Sequence, residues 1–382
     1  MVVQLQDLSM EAVGEFVQQR WGELLDEVGA GAAERYAAGE AFPRKYLIQA
    51  AQKSLHGLAL PREIGGEGMG SNVWGRVLEE MTFRCDESAF SLVVSMTTSI
   101  AFTLYQSGDA RLIDNYVRPF MSGELAATLA FTEDADFWSW GTTLTRDGDG
   151  GVLSGRKSYV TGGLISDVFL TYAAAEPGRL AACLVHRDDP GVRLIPAEGM
   201  GFQSAGMAVL EFIDVELGPE RILTWTDGLD HSQLYLNERR SMQASWTVGR
   251  MRGLVARCAA RLRTTTRQGQ PVLDYANVAG ALGRMHMLTD VAQTMTHDVL
   301  DRQARGETDL VYDAKISAAK HFSAEQAMNL AHQALRALGG HAYYGDEYYG
   351  RYVRDCAGLI PAGGTQDSLE ITIGALVAKN LL

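Results

Sequence analysis

The feature that most constrains the fold is a double change of pattern along the 382 residues of the chain. In residues 1–121 and 232–382, apolar side chains recur at helical spacing, whereas residues 122–222 contain short apolar runs separated by turn signals. This order predicts two helical domains with a small antiparallel β-domain between them. The predicted fold class is α+β, mainly α, with an N-terminal helical domain at 1–121, a central β-domain at 122–231 and a C-terminal helical domain at 232–382.

Individual elements follow from the same periodicities. Helices are predicted at residues 11–36, 45–54, 73–85, 88–107, 233–266, 278–305 and 310–338. A loop rich in Gly and Pro at residues 60–70 separates the second helix from the third. Small residues among the apolar ones, such as Gly249 and Gly253, predict close packing of the helix at 233–266. The predicted strands include residues 152–153, 167–172, 180–186, 192–195 and 210–215.

Composition excludes several classes of function. The formal net charge of −13 disfavours non-specific binding to nucleic acid or to an anionic membrane. We find no run of about 18 apolar residues and no basic segment followed by an apolar one at the start, so neither a membrane span nor a signal peptide is predicted. The four cysteines are far apart, which predicts reduced thiols in a cytoplasmic protein.

No motif indicates a hydrolase, a metal site or a Rossmann or P-loop nucleotide site. His286 and His297 are eleven residues apart on one predicted helix, and we interpret them as structural histidines rather than metal ligands. No metal is predicted.

Five short stretches carry the chemical information. They are a Pro-Glu-Gly loop at 61–70, a Thr-Glu strand at 123–133, a Gly-x-Lys strand at 155–163, a Gly-Gly turn at 339–345 before Arg354-Asp355, and Gly-Gly-Thr at 363–365. In this order and at these intervals they resemble the acyl-CoA dehydrogenase family. The resemblance covers nearly the whole chain.

The resemblance implies an FAD enzyme that removes a proton next to a thioester and passes a hydride from the neighbouring carbon to flavin N5. It also implies an electron-transfer acceptor and a homodimer or homotetramer. The alternative for the flavin-contacting strand residues is ordinary strand composition, because Thr and Tyr favour sheets. The implied cofactor-binding residues are Phe131, Thr132, Tyr159, Thr161, Arg267, Arg336, Gly339, Gly340 and Thr365.

The sequence departs from the family at the catalytic base. The family's catalytic glutamate precedes Gly-Thr, and Gly363 stands there; only its backbone N–H could polarise a substrate carbonyl. Some members carry the base in a Glu-Arg pair on a helix of the last domain, which predicts Glu238 as the base here. When the chain is aligned with the family on Gly249, Glu238 lies one residue before the position of that base on the helix. The alternative interpretation of Glu238 is a solvated charge at the start of a helix. Asp367 and Glu370 are weaker candidates.

Other departures concern the substrate and the flavin tail. Bulky Phe137, Trp138 and Trp140 follow the Thr-Glu strand where the family has small residues, which predicts either a rebuilt acyl pocket or a loop folded outward. Arg240 is a further candidate substrate contact. The family's flavin-tail Arg and Gln are altered around Arg267 and at Arg336, and the latter could pair with the pyrophosphate.

The predicted function is dehydrogenation of a short or unusual acyl thioester, carried by CoA or an acyl carrier protein, in a biosynthetic role. The missing glutamate and the aromatic loop raise the hypothesis that the γ,δ bond of an unsaturated substrate is oxidised. Two alternatives stay open: a flavin monooxygenase on the same fold, which needs no substrate base, and a non-catalytic relative.

Overall fold

The structure is a computed structural model that describes residues 7–134, 139–345 and 347–382. Its N-terminal part is helical, with α1 Met10–Gly29, α2 Ala32–Ala38, α3 Lys45–Gln52, α4 Ser71–Arg84, α5 Ser88–Gln106, α6 Ala110–Leu112 and α7 Arg118–Ser122. The central part contains β1 Ala127–Ala130, β2 Thr143–Asp147, β3 Gly150–Val160, β4 Val168–Glu176, β5 Arg179–His186, β6 Val192–Pro196, β7 Ala208–Leu217 and β8 Ile222–Thr224.

The C-terminal part is again helical, and one two-stranded hairpin interrupts it. Its elements are α8 Gly228–Thr264, β9 Thr266–Arg267, β10 Gln270–Pro271, α9 Ala276–Ala304, α10 Leu310–Leu338, α11 Glu347–Leu359 and α12 Gln366–Ala378. The α+β, mainly α fold predicted from the sequence is confirmed, while the domain boundaries stay a prediction.

The prediction of one helix over residues 11–36 is wrong, because this segment forms two helices, α1 and α2. Gly29 ends α1 and Gly31 precedes α2, so two residues of poor helix propensity bracket the break. A Cβ at Gly31 would lie 2.7 Å from Arg35 Nη1. Gly39 then ends α2 in the left-handed conformation at φ 65°, which glycine adopts without steric cost.

The helix α5 corrects the expectation that no segment is apolar enough to span a membrane. By length and composition alone it would qualify, but 89% of its most apolar window is buried inside the protein. It packs against α8 and β1, which makes it a core helix joining the three parts of the chain.

The central sheet has the order β6-β7-β3-β2-β4-β5-β8, and β1 pairs with β4. Most pairs are antiparallel, as predicted, but β1 runs parallel to β4 over Ala127–Ala130. A parallel pair requires a long connection between its strands. The β2–β3 hairpin lies within that connection, and it places the end of β1 beside the second half of β3.

The close packing expected of α8 occurs where the helix crosses α4. A Cβ at Gly249 would lie 2.2 Å from the carbonyl oxygen of Glu79, so only glycine permits this approach. Glu79 is fully buried and accepts hydrogen bonds from His297 at 2.8 Å and from Arg252 at 2.9 Å. His297 of α9 thus bonds to a carboxylate inside the protein, and His286 lies exposed on the same helix.

Asp355 ties the three parts of the chain together. Its buried carboxylate accepts hydrogen bonds from Tyr36 Oη at 2.9 Å, from Ser88 Oγ at 2.7 Å and from the Phe202 backbone N–H at 2.6 Å, and it pairs with Arg250 at 3.2 Å. These partners come from α2, α5, the central part and α8. The Arg-Asp stretch of the sequence thus has a structural role.

Candidate active site

The ends of β1 and β3 form one wall of the candidate site. The Ser158 backbone N–H donates to the Thr132 carbonyl at 2.8 Å, and the Thr128 hydroxyl donates to the Thr161 carbonyl. These bonds pair Thr132 with Ser158 and Thr128 with Thr161, so the predicted flavin residues Thr132 and Thr161 lie on two neighbouring segments of the chain. Phe131 packs edge-to-face on Trp140 with ring centroids 4.8 Å apart.

Tyr159 has the most unusual position on this wall. Its φ is 56°, at an irregularity in the β3–β7 pairing between Lys157 and Val160, and 62% of the residue is exposed. A left-handed conformation at a residue other than glycine costs about 1–3 kcal/mol and is common at ligand clamps. The buried Lys157–Glu133 ion pair, at 2.7 Å, holds the strand beneath it. Tyr159 therefore presents a large exposed ring at the end of β3.

Of the three aromatic residues predicted to line the acyl pocket, only Trp140 lies within the described part of the chain. Phe137 and Trp138 lie outside the described residues. Trp140 is half-buried, and Lys157 Nζ lies 3.7 Å from its ring centroid. Trp140 thus packs within the central part, beside the flavin candidate Phe131.

A second group of predicted site residues comes from α8 and the loop before α12. Arg240 Nε donates to the Gly363 carbonyl at 2.9 Å, so the structure brings these two predicted site residues together. Gly363 has a φ of 70°, and a Cβ there would lie 2.7 Å from Gln243 Oε1. Gln243 occupies the space that a side chain at position 363 would need. This contact and the positive φ explain why a glycine fits at this position.

Lys320 supports this loop from α10. It is fully buried, and its Nζ donates to the Gly364 carbonyl at 2.9 Å and to Gln366 Oε1 at 2.8 Å. Burial, together with the charges of Arg240 and Arg239, lowers its pKa to about 8.

Thr365, a predicted cofactor contact, caps α12, with its hydroxyl accepting from Ser368 N–H at 3.2 Å. The weaker candidates for the base lie on the exposed surface of this helix. Asp367 is exposed in its first turn, and Glu370 pairs with His321 at 2.8 Å.

Glu238 lies on α8, two residues before Arg240, and is 5% exposed. Burial raises the pKa of its carboxyl to about 7, and a hydrogen bond from Gln303 opposes that effect. Glu238 borders a small cavity between α4 and α5, together with Leu55, His56, Ala59, Leu60, Ser71, Trp74, Thr98 and Phe102.

Two polar residues of α8 escaped the sequence reasoning. Arg239 and Gln243 are buried, and Arg239 Nη1 and both amide atoms of Gln243 lack a hydrogen-bond partner within the described residues. The signal that could have found Arg239 was the alignment on Gly249. That alignment shifts Glu238 by one residue and so puts Arg239 in the place of the helix-borne base.

The remaining predicted cofactor residues lie on the surface of the C-terminal part. Arg267 is on the β9–β10 hairpin, and Arg336 is in the last turn of α10, followed by Gly339 and Gly340. Both arginines are exposed, and within the part of the chain that the structure describes neither forms an ion pair. Both guanidinium groups are therefore accessible to phosphate groups.

These residues fit a flavin dinucleotide. Tyr159 offers an exposed ring held at a bulge, Thr132 and Thr161 lie on adjacent segments, and the two surface arginines suit a pyrophosphate. Across the described ranges 7–134, 139–345 and 347–382, we find no cluster of His, Cys, Asp or Glu that could hold a metal ion. All four cysteines are buried and free, as the spacing predicted. The fold and the site define a flavin-dependent oxidoreductase built from a helical, a sheet and a second helical domain.

Comparison with known proteins identifies the family. The models of the N-terminal, middle and C-terminal domains of acyl-CoA dehydrogenases match residues 10–124, 129–215 and 226–378. The chain therefore belongs to the acyl-CoA dehydrogenase family. Membership makes FAD the cofactor and places the protein among enzymes that act on the CH–CH bond of acyl thioesters.

Similar proteins share this architecture at low sequence identity. A 3-(aryl)acrylate reductase of Clostridium sporogenes is 23% identical over 98% of both chains. The butyryl-CoA dehydrogenase structure from Megasphaera elsdenii has a TM-score of 0.90 at 18% identity and covers 99% of this chain and 100% of its own. The prolyl acyl carrier protein oxidase AnaB has a TM-score of 0.86 at 21% identity, with 96% and 97% coverage. At these identities the likeness of the structures establishes the fold.

Proposed function

We propose that the protein dehydrogenates a short or unusual acyl thioester, with Glu238 as the base that takes the substrate proton. The observation that carries this proposal is a buried carboxyl group whose pKa of about 7 suits proton transfer near neutral pH. FAD, when bound, accepts the hydride at N5. The residues of the chain bind the acyl group, polarise the thioester carbonyl and orient the base.

The acyl group approaches Glu238 in this proposal from the small cavity bordered by Trp74 of α4 and by Thr98 and Phe102 of α5, which must widen to admit it. Arg240 fixes the backbone of Gly363, whose N–H is then available to polarise the thioester carbonyl. Gln303 donates to the Glu238 carboxylate and sets its orientation. In this proposal, Glu238 of α8 takes the role of the base, and Gly363 contributes only its backbone N–H.

The carrier and the bond oxidised are finer parts of the proposal. Coenzyme A follows from the family, and the fold shared with AnaB keeps an acyl carrier protein as a second carrier. A base at Glu238, with glycine at the position of the family's catalytic glutamate, supports oxidation at the γ,δ bond of a substrate that is already unsaturated. We also propose a biosynthetic role, a cytoplasmic location and a homodimer or homotetramer.

The decisive test is anaerobic titration of the FAD-loaded protein with saturated and 2-enoyl thioesters on both carriers. Wild-type protein should bleach the flavin absorbance, and Glu238→Gln should slow bleaching by about 10²–10⁴-fold. Glu23→Gln, on the exposed face of α1, is the matched control and should behave like wild type. Bleaching at the wild-type rate by Glu238→Gln would reject Glu238 as the base.

The comparison of substrates separates the finer alternatives. Faster bleaching by 2-enoyl thioesters supports γ,δ-oxidation, and equal α,β-oxidation of saturated thioesters rejects it. The similarity to an acrylate reductase makes the reverse reaction a second candidate. Reoxidation of the reduced flavin by an arylacrylate substrate would favour it. Reoxidation by O2 with coupled hydroxylation would favour a monooxygenase, which the glycine at 363 suits.

A further inference from the structure

The face of α8 next to Gly363 carries a buried positive charge without a counter-ion. Arg239 is 6% exposed, and within the described residues it forms no ion pair with a carboxylate. Its Nε lies 3.1 Å from Met96 Sδ on α5, and its Nη1 has no hydrogen-bond partner in the part of the chain that the structure describes. An unpaired guanidinium in such surroundings is strongly destabilising unless a ligand provides the opposite charge.

Gln243 extends the same face by one helical turn, because side chains four residues apart on a helix lie above one another. It is 1% exposed, and neither its Oε1 nor its Nε2 has a partner in the described chain. Its Oε1 borders Gly363, the residue that Arg240 holds by its carbonyl. Within the described residues, the partnerless polar atoms of Arg239 and Gln243 thus lie on one face of α8, and Gln243 at one end of this face borders Gly363.

The neutral groups around Arg239 offer only weak interactions, including a cation–π contact in which the guanidinium carbon lies 5.9 Å from the Trp246 ring centroid. A thioether sulfur is a weak hydrogen-bond acceptor, and the Met96 sulfur also receives the Tyr235 hydroxyl at 3.5 Å. Burial lowers the pKa of Arg239 from its ordinary value, which indicates that its surroundings disfavour the charge. A carboxylate, by contrast, accepts two parallel bonds from a guanidinium and can accept a third from the amide of Gln243.

We propose that Arg239 and Gln243 bind a free carboxylate at the end of the acyl group, so that the enzyme selects dicarboxylic acyl thioesters. This inference rests on the proposed function and narrows its substrate class. Arg239 acts as the specificity residue, Gln243 adds a neutral donor, and Glu238 keeps the role of base. A neutral acyl chain of the same length would leave the guanidinium unpaired and would bind more weakly.

The test uses thioesters matched in chain length, one with and one without a terminal carboxylate: succinyl-CoA with butyryl-CoA, and glutaryl-CoA with pentanoyl-CoA. Binding to the FAD-loaded protein is followed by the perturbation of the flavin spectrum. Wild-type protein should prefer the carboxylated member, and Arg239→Met should lower its affinity by about 100-fold while binding of the neutral member is unchanged or tighter. Arg263→Met, on the exposed end of α8, should leave both affinities unchanged.

A readout without substrate completes the test. Because Arg239→Met removes an unpaired buried charge, the variant without thioester should melt at least about 2 °C above wild type. Equal affinities for both members of each pair, unaltered by Arg239→Met, would overturn the inference even if neutral thioesters bleach the flavin. Loss of FAD affinity in Arg239→Met with an unchanged preference would assign the guanidinium to the cofactor and also overturn it. If no thioester bleaches the flavin, the proposed function fails, and selective carboxylate binding still supports the anion site.

Discussion

Substitution of Glu238 by glutamine should stabilise the protein at alkaline pH and have little effect at acid pH. The carboxyl is buried, and its pKa rises from the ordinary 4.5 to about 7. The folded state therefore holds a proton that the unfolded state has already released between these two values. The stability associated with this proton is fully present below pH 4.5 and is lost as the pH rises through about 7.

The size of the effect follows from the two proton affinities. A tenfold change in proton affinity corresponds to about 1.4 kcal/mol, so ionisation of Glu238 in the folded protein costs about 3 kcal/mol. Glutamine has nearly the same shape, remains neutral and can still bond with Gln303. Glu238→Gln should thus exceed wild type in unfolding free energy by about 3 kcal/mol at pH 8 and match it near pH 4.5.

Urea unfolding of wild type, Glu238→Gln and the exposed control Glu23→Gln across this pH range measures the difference. The control should parallel wild type at every pH. A difference between Glu238→Gln and wild type that does not change with pH would refute a raised pKa for this carboxyl. The same pKa predicts that turnover rises with pH through about 7, because the base must be ionised to accept a proton.

Three further predictions test the walls of the site. Gly363→Ala should lower the unfolding free energy by about 1–3 kcal/mol, since its φ is 70° and the new Cβ would meet Gln243; urea unfolding measures this loss, and unchanged stability would contradict the steric argument. Tyr159→Ala should weaken FAD binding by about tenfold in fluorescence titration while secondary structure by circular dichroism is retained, and full affinity would remove Tyr159 from the cofactor site. Asp355→Asn should lower the unfolding free energy by about 3–5 kcal/mol, because it leaves buried Arg250 unpaired; an unaltered melting curve would contradict that role.

The order of helices and strands could be predicted from the sequence because each element has its own hydrophobic period. The helices α9 and α10 begin and end within two residues of the prediction. The break between α1 and α2 was missed because the apolar spacing continues across Gly29 and Gly31. The parallel pairing of β1 with β4 was missed because periodicity within a strand carries no information about its partner.

Some residues of the candidate site could likewise be predicted from the sequence, and others could not. Tyr159 and Thr161 were predicted because their strand carries a recognisable run of residues, and their role stays a prediction. Arg240 and Gly363, two further predicted residues, prove to be in contact. Arg239 was missed because a charged residue on a helix is usually solvated. Only the three-dimensional structure reveals that its charge is buried and has no carboxylate partner among the described residues. Lys320 was missed for the same reason.

The glycine at position 363 is more than the absence of a base. Gln243 reaches into the volume that a side chain there would fill, and Arg240 holds the backbone in a left-handed conformation that glycine tolerates. Restoring a glutamate at 363 would therefore displace Gln243 and strain the loop. Because Gly363, Arg240 and Gln243 depend on one another in this way, a single substitution at 363 cannot return the site to the arrangement typical of the family.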